Sequence, residues 1–325
     1  MSEENTKQTL ASSEGNHAWE KSLIEKLALA GVTEQRRARR WGIFFKLAMM
    51  TYLVVLLVIS MGPRLNIGIQ SVEKHTAVVD VSGMIMQGAD ANAASIIQGL
   101  RAAAEDEMTQ GIIVRLNTPG GSPVQSAYVF EEIVAIRAQY PDLPVHAVVT
   151  DMCTSGGYYI AAAVDKIFVN PASVVGSIGV IMEGYGFVDT LEKLGVERRV
   201  MTAGKHKAML DSFAPVNSAE KAHAQHLLDQ VHQQFIAAVK KGRGERLKVT
   251  DDMFSGLVWT GQESVALGLA DGIGHDRSVA KDIIGAEKLV DFTPREQFLE
   301  RLATIIASSV GEMLTGVNRT GWLQL

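Results

Sequence analysis

Twice in this chain a short β-branched run ends in a pair of glycines and passes at once into a helix-like stretch, and this repeated junction constrains the fold more than any other feature. Gly111 to Leu116 (GIIVRL) leads into Asn117-Thr118-Pro119-Gly120-Gly121-Ser122, and a helical pattern follows over Val124 to Arg137. Val145 to Thr150 (VHAVVT) leads into Asp151-Met152-Cys153-Thr154-Ser155-Gly156-Gly157, with a helical pattern over Gly156 to Ala163. Strand-then-helix repeats of this kind predict an α/β fold of stacked units around a mostly parallel sheet. If the two strands are neighbours, both turns fall at the carboxyl edge of the sheet, where such folds bind ligands. The pattern extends through Thr76 to Val81 (strand), Ala91 to Glu107 (helix), Lys166 to Val169 (strand), Val188 to Leu194 (helix) and Glu197 to Met201 (strand). Asn217, with Glu220 three residues on, predicts a capping box opening a long helix that runs to about Lys241.

Composition narrows the classes. A single cysteine among 325 residues excludes an intramolecular disulfide and a thiolate zinc site. Residues 1–46 carry 8 Lys+Arg against 6 Asp+Glu, leaving 23 against 30 for the rest, a balance that argues against a nucleic-acid binder. The 47% hydrophobic content is concentrated between Leu47 and Pro63, which hold no charge. With Trp41 to Phe45 the stretch reaches the roughly 20 residues a membrane helix needs, and Lys46 lies near enough to one end to snorkel. Arg36, Arg37, Arg39 and Arg40 precede it, so the positive-inside rule predicts a cytoplasmic segment 1–40, a transmembrane helix 41–62 and everything later outside the cytoplasm. A cleaved signal peptide is the competing reading, opposed by the long leader and the lack of an A-x-A site after Ser60. One α/β domain over 72–285 and a weakly amphipathic tail over 286–325 complete the partition.

The two turns raise the question of chemistry. Asn117 to Ser122 lacks the lysine of a phosphate loop and reads alone as a tight turn with bare backbone N–H groups. Ser155, between strand and helix, reads in two ways: a nucleophile beside helix N-terminal N–H groups that form an oxyanion hole, or an ordinary N-cap. Its flanking residues differ from the G-x-S-x-G elbow. A nucleophilic serine needs a base, and Lys205, His206 and Lys207 offer three in a row, with Ala208 to Leu210 as an apolar wall. The residues alone do not choose among them. Cys153 reads as a small packed side chain, Tyr158 and Tyr159 as packing for the helix after Ser155, and His223, His226 and His232 as a solvated helix face. Gly242-Arg243-Gly244 reads as a helix stop and basic loop.

Thr154-Ser155-Gly156-Gly157-Tyr158-Tyr159, preceded by Asn117-x-Pro119-Gly120-Gly121 and followed by Gly176-Ser177-Ile178-Gly179-Val180 and Gly204-x-His206-Lys207, resembles the bacterial signal peptide peptidase A (SppA) family of membrane-anchored serine proteases. The resemblance covers about residues 75–275 and implies a ClpP/crotonase-like fold of β-β-α units with a Ser-Lys dyad. It implies Ser155 as nucleophile, Lys207 as general base and Ser177 as the hydroxyl that holds the lysine. Gly120, Gly121 and Gly156 become the oxyanion and substrate-binding backbone. His206 stands where the family has an aromatic residue, and Thr118 where it has a serine. No metal or cofactor is implied; the partners are signal peptides or other extended peptides, the lipid bilayer of the bacterial inner membrane, and further copies of the chain, with sites that neighbours share in some relatives. A crotonase-type acyl-thioester enzyme and a catalytically silent membrane scaffold are the alternatives.

Overall fold

β1 (His75–Ser82), β2 (Thr109–Thr118) and β3 (Val145–Thr154) are the β-branched runs of the sequence, and they lie side by side in parallel. The computed structural model describes residues 36–37, 39–56 and 73–294. Contacts divide the chain into two units, Met1–Gly68 and Ile69–Leu325.

In the second unit, α2 (Ala93–Glu105) joins β1 to β2, and α3 (Pro123–Gln139) joins β2 to β3. After β3 come α4 (Gly156–Ala161), β4 (Lys166–Val169), β5 (Val174–Gly176), α5 (Val188–Lys193) and the long α6 (Ser218–Arg243). β6 (Val258–Thr260), α7 (Gly261–Ala266), β7 (Gly272–Ile273) and β8 (Leu289–Asp291) complete an eight-stranded sheet, ordered β6-β5-β3-β2-β1-β8 with β4 bridging β3 and β7. All pairings are parallel except β5 with β6. The α/β class and parallel sheet are those expected from the β-α alternation. The ladder runs past residue 285, because β8 pairs with β1 and Phe292 N–H donates to Val78 O.

Strand alternation builds two cores. Ala77, Val79, Val81, Ile112, Val114, Leu116, Ala147 and Val149 face α2, α3, α4 and α6, while Val78, Ile113, Val148 and Phe168 face Val279 and Ala280. Both faces of the central strands are therefore covered, which is why their sequences read as nearly continuous apolar runs.

Three local expectations are corrected. Glu197–Met201 is not a strand; this stretch is exposed, and Arg199 pairs with Glu197 only two residues away. Asn217 caps α6 by accepting from Ala219 N and Glu220 N, but the Glu220 carboxylate takes His206 Nδ1 at 2.9 Å instead of closing a capping box. Arg243 does not belong to a solvated basic loop. α6 ends there, with Gly244 at φ 54°, and its guanidinium is buried on Asp271 (2.7 and 3.0 Å) and Gly268 O. Burial opposes ionisation of Asp271, but hydrogen bonding and charge from Arg243, with Ile167 N–H and Arg246, outweigh it and hold the carboxyl below its usual range.

In the first unit, helix α1 covers residues 39–56, with Trp41, Phe44, Phe45, Met49, Tyr52 and Leu53 all exposed. Among the described residues no helix is long and apolar enough to cross a membrane. Residues 57–62 of the expected span, the leader up to residue 35 and the tail from 295 lie outside the described residues.

Asp271→Asn leaves the buried Arg243 charge without its counter-ion and is expected to cost about 3 kcal/mol in chemical denaturation near neutrality. Because the folded carboxyl is depressed, its contribution is complete above the ordinary aspartate range near pH 4 and is lost as pH falls through the lower folded value. The gap between wild type and variant therefore narrows below about pH 4; a constant gap across that range would contradict the account.

Candidate active site

β3 changes partners partway along its length, and that change delivers Ser155. His146–Val149 pairs with β4, then the register to β2 slips between Leu116 and Thr118, and Met152–Thr154 pairs with β5. Thr150 and Asp151 lie between the two paired stretches and, like Met152, are exposed, as at a bulge that re-aims a strand. Asn117 Nδ2 donates to Asp151 Oδ2 at 2.9 Å, tying the ends of β2 and β3 together beneath the two turns.

Ser155 then sits between β3 and α4 at φ 51°, ψ −122°, a conformation L-residues rarely adopt. Its N–H donates to Gly176 O at 2.8 Å and its carbonyl accepts from Tyr159 N at 3.0 Å. The hydroxyl makes no capping hydrogen bond. At the other junction Ser122, in extended backbone, does cap α3 by accepting from Gln125 N. Ser155 thus occupies the N-cap position of α4 without using its hydroxyl to cap the helix.

The first glycine turn folds directly over this serine. Thr118 Oγ1 accepts from Gly120 N at 3.0 Å, and Gly120 has φ 100°. A Cβ on Gly120 would lie 2.7 Å from both Gly156 N and Ser155 Cβ, so only glycine permits this approach. Gly121 bridges in parallel to Ile85: Ile85 N–H donates to Gly120 O and Ser122 N–H to Ile85 O. These bonds engage Ile85 N, Ser122 N and Gly120 N, and leave Gly121 N outside the set. A Cβ on Gly156 would be 3.2 Å from Gly121 N and pressed on Ser126 Oγ, so the N–H groups of Gly121 and Gly156 lie close together beside Ser155. Two neighbouring backbone N–H groups next to a hydroxyl that makes no capping bond are the groups that stabilising a developing oxyanion calls for.

Ser177 belongs to the same cluster. Thr154 pairs with Gly176 across β3 and β5, and Ser177 follows at φ 52° with its N–H on Leu257 O at 2.7 Å. The supporting residues behave as packing. Cys153 is fully buried, and burial pushes its thiol well up, which removes it as a nucleophile. Tyr158, also fully buried, donates to Leu269 O at 2.8 Å, and Tyr159 stacks on Phe235 and meets Phe130 edge-on.

Lys205, His206 and Lys207 lie apart from this cluster. Residues 201–208 are exposed, and the apolar wall expected from Ala208 to Leu210 does not enclose Lys207. Among the described residues no hydrogen bond joins the Lys207 side chain to Ser155 or Ser177. α6 acts as a ruler here. His206 is tied to Glu220 in its first turn, and the Ser177 loop to His232, a separation of about 18 Å along the axis at 1.5 Å per residue. Ser155, Ser177, Gly120, Gly121 and Gly156 are thus brought together, and Lys207 is not.

His232 was missed by sequence reading. Its Nε2 lies 3.0 Å from Ile178 O, whereas His223 and His226 are exposed as expected. Helical spacing grouped the three, and only the tertiary contact separates them.

Residues 137–289 match the family model of peptidase family S49. An Enterococcus faecium protein carrying the name signal peptide peptidase SppA is 29% identical over 68% of this chain and 66% of its own length. The chloroplastic serine protease SPPA of Arabidopsis thaliana is 27% identical over 70% of this chain and 34% of its own. A Brucella abortus protein named Na(+)/H(+) antiporter NhaA is 38% identical over 71% of this chain, which spans 32% of that protein. The chain spans less than two thirds of the length of these relatives. The S49 match contains Ser155, Ser177 and Lys207, so the stretch that holds the serine-glycine cluster and the lysine segment is similar to peptidase family S49 and to proteins named as SppA proteases.

Proposed function

We propose that this chain is a membrane-anchored serine endopeptidase that cleaves remnant signal peptides and other extended apolar peptides by a Ser-Lys dyad. The observation that carries the reading is Ser155 itself: a strained, uncapped serine with the backbone of two glycine turns against it. Lys207 in its uncharged form takes the Ser155 proton as Oγ attacks the scissile carbonyl. The N–H groups of Gly121 and Gly156 hold the oxyanion, with Gly120 shaping the turn, and Ser177 orients the lysine. Collapse expels the amine, which receives the proton from Lys207, and water then hydrolyses the acyl ester. An extended substrate adds its backbone beside the first glycine turn, which selects unfolded chains.

Lys207 comes from a neighbouring copy in this proposal. Support lies in the separation of Lys207 from Ser155 within the chain and in the surface that bears it. Ile181, Tyr185, Leu194, Met201 and Val216 on residues 181–216 are all at least two-thirds exposed, an apolar surface suited to burial between subunits. The anchor is residues 41–62, supported by the uncharged run after Arg36–Arg40 and by the exposed apolar side chains of α1. It places the catalytic domain outside the cytoplasm, on the inner membrane, where released signal peptides partition.

Purified full-length Ser155→Ala and Lys207→Ala are each expected to lose peptidase activity by at least about 10³-fold with assembly retained. Dissociating and reassembling the two variants together should restore activity, since some sites then hold one intact serine and one intact lysine; a dead mixture would contradict sharing. Gly156→Ala crowds Ser126 and Gly121 N and should lower kcat by about 10²-fold or more while circular dichroism stays native. Wild-type turnover in that variant would contradict the oxyanion assignment.

A further inference from the structure

We propose that His232 is a positioning residue, a clamp from α6 that holds the Gly176-Ser177-Ile178 loop in its strained form; the inference rests on the reading of Ser155 and Ser177 above. Three successive residues of this loop are each held by a different element. Gly176 accepts the Ser155 N–H, and its φ of 114° sets it flat on Trp259, where a Cβ would meet Cε3 at 2.7 Å. Ser177 donates to Leu257 O, and Ile178 O receives His232 Nε2 at 3.0 Å. Ser177 keeps φ 52°, which a non-glycine residue holds only when its surroundings over-determine it.

The His232 bond is the one hydrogen bond in this set made by a side chain, and so the one a substitution can remove without altering the backbone. A carbonyl oxygen only accepts, so Nε2 is the donor, and it carries a proton in both the charged ring and the matching neutral tautomer. His232 is half-buried, at the point where α6 passes the loop, and Ile178 beneath it is fully buried. Release of Ile178 O lets Ser177 relax toward ordinary backbone angles, turning its hydroxyl away from the base and loosening the Gly176 carbonyl that holds the Ser155 N–H. One helix thus carries the tether of the lysine segment, at Glu220, and the tether of the serine loop, at His232.

The test uses the full-length assembled protein with a peptide substrate. His232→Phe keeps ring volume and removes the donor; His232→Gln keeps a donor on a side chain of similar reach. His232→Phe is expected to lower kcat about tenfold, the scale of one lost hydrogen bond in the transition state, with KM within about twofold. It should also move the basic-group limb of the pH–rate profile, and His232→Gln should return both toward wild type. In a Ser177→Ala background His232→Phe should have little further effect, because the group it positions is gone. The proposal is overturned if His232→Phe keeps wild-type kcat and pH profile. It is equally overturned if the loss is as large in the Ser177→Ala background, or if His232→Gln has a wild-type melting transition yet stays as impaired as His232→Phe. Full activity in Ser155→Ala would instead overturn the parent reading, whatever His232 does.

Discussion

The hydrogen bond from Ser155 N–H to the Gly176 carbonyl holds together everything that makes this chain a candidate enzyme. It links the end of β3 to the end of β5, and it stabilises a serine in a backbone conformation that β-strands and helices both avoid. The strain at Ser155 is local, of the order of 1–3 kcal/mol, and is sustained by packing on both sides. Cys153 and Tyr158 are buried behind it, and Gly120 presses on it from the first turn. Held this way, Ser155 makes no side-chain capping bond to the helix it precedes.

The same architecture keeps Ser155 and Lys207 apart within the chain, which is why the proposed dyad draws its lysine from a neighbouring copy. The sheet gathers Ser155, the two glycine turns and Ser177 at one edge through strand pairing, which is rigid and short-range. The lysine lies on residues 201–208, an exposed stretch fastened to α6 through His206 and Glu220. Phe187 and Phe213 stack, and Arg198 pairs with Asp211 over the Phe213 ring, so the surrounding segment 181–216 has internal order while presenting apolar side chains outward. That combination is what the proposed pairing with a second copy calls for.

The sequence showed the parts of this structure that depend on local pattern. β-branched runs, glycine pairs and the Asn217 cap read through because strand propensity, positive-φ turns and helix capping act over a few residues. The two similar junctions pointed to a parallel sheet, while the adjacency of β2 and β3, a condition in the sequence reading, is seen in their pairing. What did not read through depends on distant partners. β5, β6 and β8 are three residues each, too short for an alternation signal, and form because neighbouring strands supply hydrogen bonds. Arg243 looks like any surface cation beside glycine until Asp271 and Gly268 arrive from further along the chain. His232 shares its helical spacing with two exposed histidines and differs only in facing Ile178. The positive φ of Ser177, unlike that of glycine, leaves no compositional mark at all.

The account stands or falls on Ser155 being an activated nucleophile facing the backbone of Gly121 and Gly156. The most direct measurement is treatment of the assembled protein with a fluorophosphonate, followed by peptide mapping and a crystal structure of the adduct. Modification of Ser155 alone, with the phosphoryl oxygen about 2.7–3.1 Å from Gly121 N and Gly156 N, is the predicted result. No modification of active protein, or labelling that persists in Ser155→Ala, would contradict it.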